Sequence, residues 1–246
     1  MSNDTSNELY FGGEIRNPDI RMLDDMADVI FDKEWLDGAE NIELYYMYRD
    51  LSKSKEDLDI IQKNNLRYDI TVIPANMLGL EYVKTAGHYH PFVPGTDTSY
   101  TEVYQVLEGE ALYLLQKVDS KTVLDFITIR AVAGDVVLIP PNYGHITINQ
   151  SNAPLKMANW VCRNFSSIYS PIKELSGGAY YLLEDGFMKN LLYNTVPPIR
   201  ELEPMDVPEL GLVCGEDMYE LVHDIEKLEF LKNPTNFMDI FSKILR

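Results

Sequence analysis

The chain is poor in cysteine, in positive charge and in long apolar runs. Its 246 residues include only Cys162 and Cys214, too few for a disulfide framework or a zinc ribbon, and both are expected to pack as small reduced hydrophobes. Lys and Arg number 21 against 39 Asp and Glu, a formal charge of −18. Such a chain repels a nucleic-acid backbone or an anionic membrane surface, so neither is an expected partner. No apolar stretch approaches the ~18 residues of a membrane span, and "MSNDTSNELYFGG" lacks the basic and apolar blocks of a secretory signal. The expected location is the cytoplasm. Histidine is scarce too: there are four, and two of them stand one residue apart in "GHYH".

At 46% hydrophobic, the chain can build one substantial core. Residues 1–65 are polar and acidic and read as a flanking segment, with a helix expected through "DIRMLDDMADVIFDKEWL", where Met22, Met26, Val29 and Ile30 recur at helical spacing. Residues 66–195 change character to short β-branched and aromatic runs such as "YDITVIP", "TEVYQVLEG" and "DVVLIPP", punctuated by turn residues. That pattern predicts an all-β sandwich or barrel. After a proline-broken linker, residues 205–246 predict two amphipathic helices. Met218, Leu221, Val222, Ile225 and Leu228 line the first, and Phe237, Phe241, Ile244 and Leu245 the second. They pack either on the barrel or on a second subunit.

In a strand, residues i and i+2 face the same way, so His88 and His90 project together and can chelate one ion. The next strand begins at Glu102, with Tyr104 on the same face, and His145 opens a later strand after "IPPNYG". Three imidazoles and a carboxylate suit a divalent transition ion, Fe, Mn, Ni, Co or Zn, with positions left open for a ligand. His223, on an acidic segment, reads as a solvated side chain.

"GHYH", Glu102 followed by Gly109, and "GDVVLIPPNYGH" with Asn149 beyond it together resemble the two motifs of the cupin superfamily, double-stranded β-helix jelly rolls that hold a metal. Two departures stand out: eleven residues separate His90 from Glu102 where a few are usual, and Asn142 replaces a common glycine. Within cupins, "YDITVI", "VKTAGHYH", "EVYQVLEGEALYLLQ" and "GDVVLIPPNYGHITIN" are similar to the archaeal-type glucose-6-phosphate isomerases, from roughly residue 20 to 190. The resemblance implies an aldose–ketose isomerase of glycolysis and gluconeogenesis acting on a sugar phosphate. His88, His90, Glu102 and His145 carry over as metal ligands; Thr71, Thr85, Gly87 and Tyr169 carry over as substrate contacts. Cupins commonly pair their sheets, so a homodimer is expected, with the C-terminal helices as spare apolar surface.

The chemistry follows from those residues. Either a base such as Glu102 takes the C2 proton and the resulting enediolate is stabilised by ion and hydroxyl, or the ion polarises the carbonyl while hydride shifts directly; Tyr104 orients an oxygen in both. Phosphate needs local donors in so acidic a chain, with Thr71, Thr85 and Gly87 expected to be helped by Lys84 or Arg163. Strict alternation puts Thr85 opposite to His88, so a bulge near Gly87 is required. Where the resembled family carries a tyrosine and a histidine after the second motif, this chain has Val161 and Ser167. The rival expectations are isomerisation of another sugar and a non-catalytic sugar- or metal-binding cupin. The loop 91–101 reads equally as a lid bringing Thr98 or Tyr100 to substrate and as tolerated surface.

Overall fold

Alternation along three central strands decides the architecture. Leu66–Ile73, Glu102–Glu108 and Leu155–Cys162 turn one alternating set of side chains, including Tyr68, Ile70, Val103 and Trp160, to an apolar outer face. The residues between them, Asp69, Tyr104 and Asn159, point the other way. A computed structural model describes residues 7–246, so the first six residues of the N-terminal flank lie outside it. The three strands form the middle of a six-stranded antiparallel sheet with the order Val136–Ile139, Glu102–Glu108, Leu155–Cys162, Leu66–Ile73, Glu43–Tyr48, Asp19–Met22. A second sheet runs Gly144–Ile148, Glu110–Asp119, Thr122–Val132 and, in parallel at its edge, Arg200–Leu202. Residues 84–88 extend that sheet by bridging Lys84 to Ile148 and His88 to His145.

The two sheets close over Val106, Tyr113, Phe126, Ile139 and Met157, all buried. This is the all-β jelly-roll barrel expected from the sequence. The flank is part of the barrel wall, since Glu43–Tyr48 pairs with Leu66–Ile73 and Asp19–Met22 pairs with Glu43–Tyr48. The single helix expected over residues 19–36 does not form. The strand Asp19–Met22 leads instead into short helical turns at Leu23–Met26 and Ala27–Val29 and a helix at Lys33–Gly38. Met26, Val29 and Ile30 are buried as their spacing implied, but sheet pairing at Ile20 and Arg21 overrides the local helical pattern.

Residues 205–246 cover the outer face of the six-stranded sheet. Met218–Leu231 is a run of tight 3-10 turns broken at Asp224, and not the regular helix expected there. Its Met218, Leu221, Val222 and Leu228 still bury themselves on Tyr68, Val103 and Trp160. The segment is also hydrogen-bonded down: Trp160 Nε1 donates to the Met218 carbonyl at 3.0 Å, while Gln105 accepts from Met218 N at 2.9 Å and donates to the Glu216 carbonyl at 2.6 Å. Phe241, in the helix Met238–Ile244, completes the cover. These apolar faces meet the chain's own sheet, which removes the spare surface from which a second subunit was expected. Among the described residues, no helix is long and apolar enough to cross a membrane.

Candidate metal centre

The site lies at one end of the barrel, where the inner faces of both sheets turn polar. Gly87 sets its geometry. Thr85 N donates to the Thr147 carbonyl at 2.8 Å and His88 N to the His145 carbonyl at 3.2 Å, so three steps on one strand oppose two on the other. This is the bulge that the sequence required. Gly87 adopts φ +73, and a Cβ there would come within 2.5 Å of Ile146 Cγ1. Only glycine fits. The bulge turns Thr85, Gly87 and His88 toward one cavity.

Four ligand atoms converge there. The suitable atoms of His88, His90, Glu102 and His145 all lie within 4.8 Å of one another. Glu102 Oε2 stands 3.2 Å from His145 Nε2, 3.3 Å from His90 Nε2 and 3.9 Å from His88 Nε2, and the last two nitrogens are 3.2 Å apart. Ligand bonds of about 2.1 Å put neighbouring donor atoms roughly 3.0–3.4 Å apart, so one ion fits among these four. Glu102 Oε2 is buried with no hydrogen-bond partner, while Oε1 accepts from Asn159 Nδ2 at 2.7 Å. A carboxylate aimed so is oriented from behind and open in front. Nδ1 of His90 donates to the Tyr100 carbonyl at 3.1 Å, which leaves the Nε2 lone pair facing the cluster.

Charge states suit an ion as well. Burial, reinforced by His145 and His90, holds His88 well below the usual imidazole value, and burial lowers His145. Burial opposes the Glu102 charge, yet His145 and His90 outweigh it and hold the carboxyl well below its usual range. His88 and His145 therefore favour the neutral form beside an ionised carboxylate, the protonation state a divalent ion needs. Tyr104 OH lies 3.2 Å from His145 Nε2, and burial together with Glu102 pushes its phenol well above the ordinary value. It stays a proton donor. The cavity in front of these groups measures about 310 Å³, room for a small-molecule ligand.

The family model for glucose-6-phosphate isomerase matches residues 20–197. The chain belongs to the glucose-6-phosphate isomerase family. Over 172 residues it is 26% identical to the glucose-6-phosphate isomerase of Thermococcus kodakarensis, covering 69% of this chain and 82% of that protein. It is 30% identical over 138 residues to that of Thermococcus litoralis, covering 55% of this chain and 64% of the relative. Among solved structures, the formate complex of Lactobacillus farciminis oxalate decarboxylase overlaps 52% of this chain and 32% of its own, at 19% identity and a TM-score of 0.37. Residues 205–246 lie beyond the family match.

Thr85, Gly87, Tyr104 and Tyr169 line the cavity with the four ligands. Thr71 does not: it sits one step past Asp69 on the same face, between Met47 and Met157. Lys84 and Arg163, expected to add charge, face elsewhere. Lys84 Nζ is buried against Glu81 at 2.6 Å and the Val29 carbonyl at 2.8 Å, and Arg163 pairs with Asp50 and the Leu66 carbonyl. Arg49, Arg67, Asp69 and Asn159 also line the cavity and are not among the residues the resemblance carries over. The alternating pattern of "LRYDITVI" could have shown Arg67 and Asp69 facing inward beside Thr71. Val161 and Ser167 both line the cavity.

The loop 91–101 folds as a small hairpin pinned by Asn142, whose Oδ1 accepts from Ser99 N at 2.8 Å and whose backbone N donates to Ser99 Oγ at 2.7 Å. Asn142 sits at φ +68, the conformation that the glycine of the motif would adopt. Neither Thr98 nor Tyr100 lines the cavity; Tyr100 stacks on Phe165, which does. His223 is exposed beside Glu220, away from the site.

Proposed function

We propose that this chain is a metal-dependent glucose-6-phosphate isomerase interconverting glucose 6-phosphate and fructose 6-phosphate. The observation that carries the proposal is the convergence of His88, His90, Glu102 and His145 on one point, with the Tyr104 hydroxyl beside it. A bound divalent ion, Fe, Mn, Ni, Co or Zn, would act as a Lewis acid on the sugar's carbonyl end. The chain's own groups divide the remaining work. Tyr104, held protonated, donates to O1 or O2 as charge develops there. Glu102 either takes the C2 proton or serves only to hold the site while hydrogen passes between C2 and C1. Thr85 and the Gly87 backbone supply neutral donors, and Tyr169, 5.5 Å from the His88 ring, closes one wall.

A second reading, an isomerase for another sugar phosphate, is favoured by Val161 and Ser167. They leave apolar or short side chains in the cavity where the resembled family has a tyrosine and a histidine. The proposal places the protein in the cytoplasm, which suits two unpaired cysteines. A homodimer is supported by the open edge strand Asp19–Met22, where Ile20 is 38% exposed. The test is to incubate metal-loaded protein with fructose 6-phosphate in heavy water and follow products by NMR. Formation of glucose 6-phosphate supports the proposal, with deuterium at C2 marking the proton route and its absence the hydride route. Turnover of a different ketose phosphate alone would favour the second reading.

A further inference from the structure

A sugar phosphate brings two negative charges to a chain of formal charge −18, so the charge has to be met locally. Among the described residues, the cations lining the cavity are Arg49 and Arg67. Strand register fixes where Arg67 stands: Val161 lies directly opposite Arg67 on one side and Glu102 on the other. Arg67 is therefore two strand spacings, roughly 10 Å, from the metal-binding carboxylate, across a small apolar side chain. That distance is within the length of a hexose phosphate whose C1 and C2 stand at the ligand cluster, and Arg67, Val161 and the ligands line one cavity.

The side chain is also prepared for an anion. Its Nε donates to both oxygens of Asp69, at 2.9 and 2.8 Å, and Asp69 is itself buried and accepts from Asp50 N at 2.9 Å. The two terminal nitrogens of Arg67 have no hydrogen-bond partner among the described residues, so a planar pair of donors is left free for two phosphate oxygens. Arg49 acts on the same Asp69 carboxyl and is tethered through Nε to Asp19 at 3.0 Å, on the solvent side.

We infer that Arg67, positioned by Asp69 and seconded by Arg49, is the phosphate-recognising end of this cavity and sets its preference for phosphorylated over unphosphorylated sugars. The inference rests on the sugar-phosphate reading of the site. It assigns the role to residues that the resemblance does not carry over as substrate contacts.

The test uses the full-length, metal-loaded protein with Arg67→Met, Arg67→Lys and Arg49→Met. Binding of inorganic phosphate is measured by calorimetry, and fructose 6-phosphate kinetics and metal content are measured in parallel. Arg67→Met should weaken phosphate binding and raise KM on the order of 10- to 100-fold, with kcat changed little and metal content unchanged. Arg67→Lys, which keeps a cation beside Asp69, should recover only part of the loss because a point charge replaces a fork. Arg49→Met should cost roughly threefold, as expected of a more exposed charge. Asp69→Asn should raise KM while sparing kcat. Phosphate binding unchanged in Arg67→Met, or in Arg67→Lys should the Met variant not fold, overturns the inference, as does a wild-type protein that binds no phosphate. Arginine-dependent phosphate binding without sugar turnover would uphold this inference and refute the isomerase proposal.

Discussion

The two faces of the six-stranded sheet share their strands and almost nothing else. On the inner face, Glu102, Tyr104, Asn159 and Asp69 form a buried polar layer edged by the half-buried Arg67, with Asn159 on Glu102 and Arg67 on Asp69. On the outer face, Val103, Tyr68 and Trp160 alternate with them and vanish beneath Met218, Tyr219 and Phe230. Aromatic rings meet there edge-on, Tyr68 with Trp160 and Tyr68 with Tyr219, both at 4.9 Å between centroids. The period of two in a strand makes this division possible. Chemistry occupies one register and stability the other, so a strand can hold a costly cluster of buried charge because its reverse side is covered by apolar surface. The segment beyond the family match is thus the apolar cover of the six-stranded sheet.

That division can be broken from either side. Removing residues 205–246 uncovers Trp160, Tyr68 and Val103 together and should abolish cooperative folding, read as loss of the thermal transition. The sequence alone left open whether this segment packs on the barrel or on a second subunit. Changing His145→Ala should instead leave the transition in place and abolish metal-restored turnover, with metal content falling below one ion per chain; full activity without metal would end the ligand assignment. Trp160→Ala, on the apolar side, should destabilise by about 3–5 kcal/mol in urea unfolding while the folded protein still loads metal. Tyr104→Phe removes one buried hydroxyl and should lower kcat about tenfold with KM little changed. The smallest effect concerns pH. Because burial holds His88 and His145 below 6.5 in the folded state, the unfolded chain binds more protons below that value. Chelated protein should therefore be most stable above pH ~6.5 and lose on the order of 1–2 kcal/mol as pH falls toward 5.5, measured as the urea midpoint.

The polar register was largely legible in the sequence because its ligands fall at spacings that only a strand can use: two apart in "GHYH", then Glu102 and His145 at strand starts. Gly87 could be read from a contradiction between alternation and the placement of Thr85. The alternation of "LRYDITVI" marks Arg67 as inward-facing but not its distance from the ligands, which only sheet register sets, and Arg49 follows a strand that bears no motif. Lys84 misled for a related reason: next to the motif in sequence, it is captured by Glu81 and the Val29 carbonyl. At the termini, helical periodicity reported burial correctly and conformation wrongly. Met26 and Val222 are buried as their spacing implied, but edge pairing at Asp19–Met22 and the break at Asp224 decided the backbone. Apolar spacing records which side faces a core; tight turns and short helices can both satisfy it.

The central claim is that the inner layer is a metal site that isomerises a sugar phosphate. Its most direct test is a coupled assay of fructose 6-phosphate conversion on chelator-stripped protein, with Fe, Mn, Ni, Co and Zn added back singly. The account predicts that stripping abolishes glucose 6-phosphate formation and that at least one ion restores it at one equivalent per chain. Stoichiometric metal binding with no turnover for any ion would contradict it.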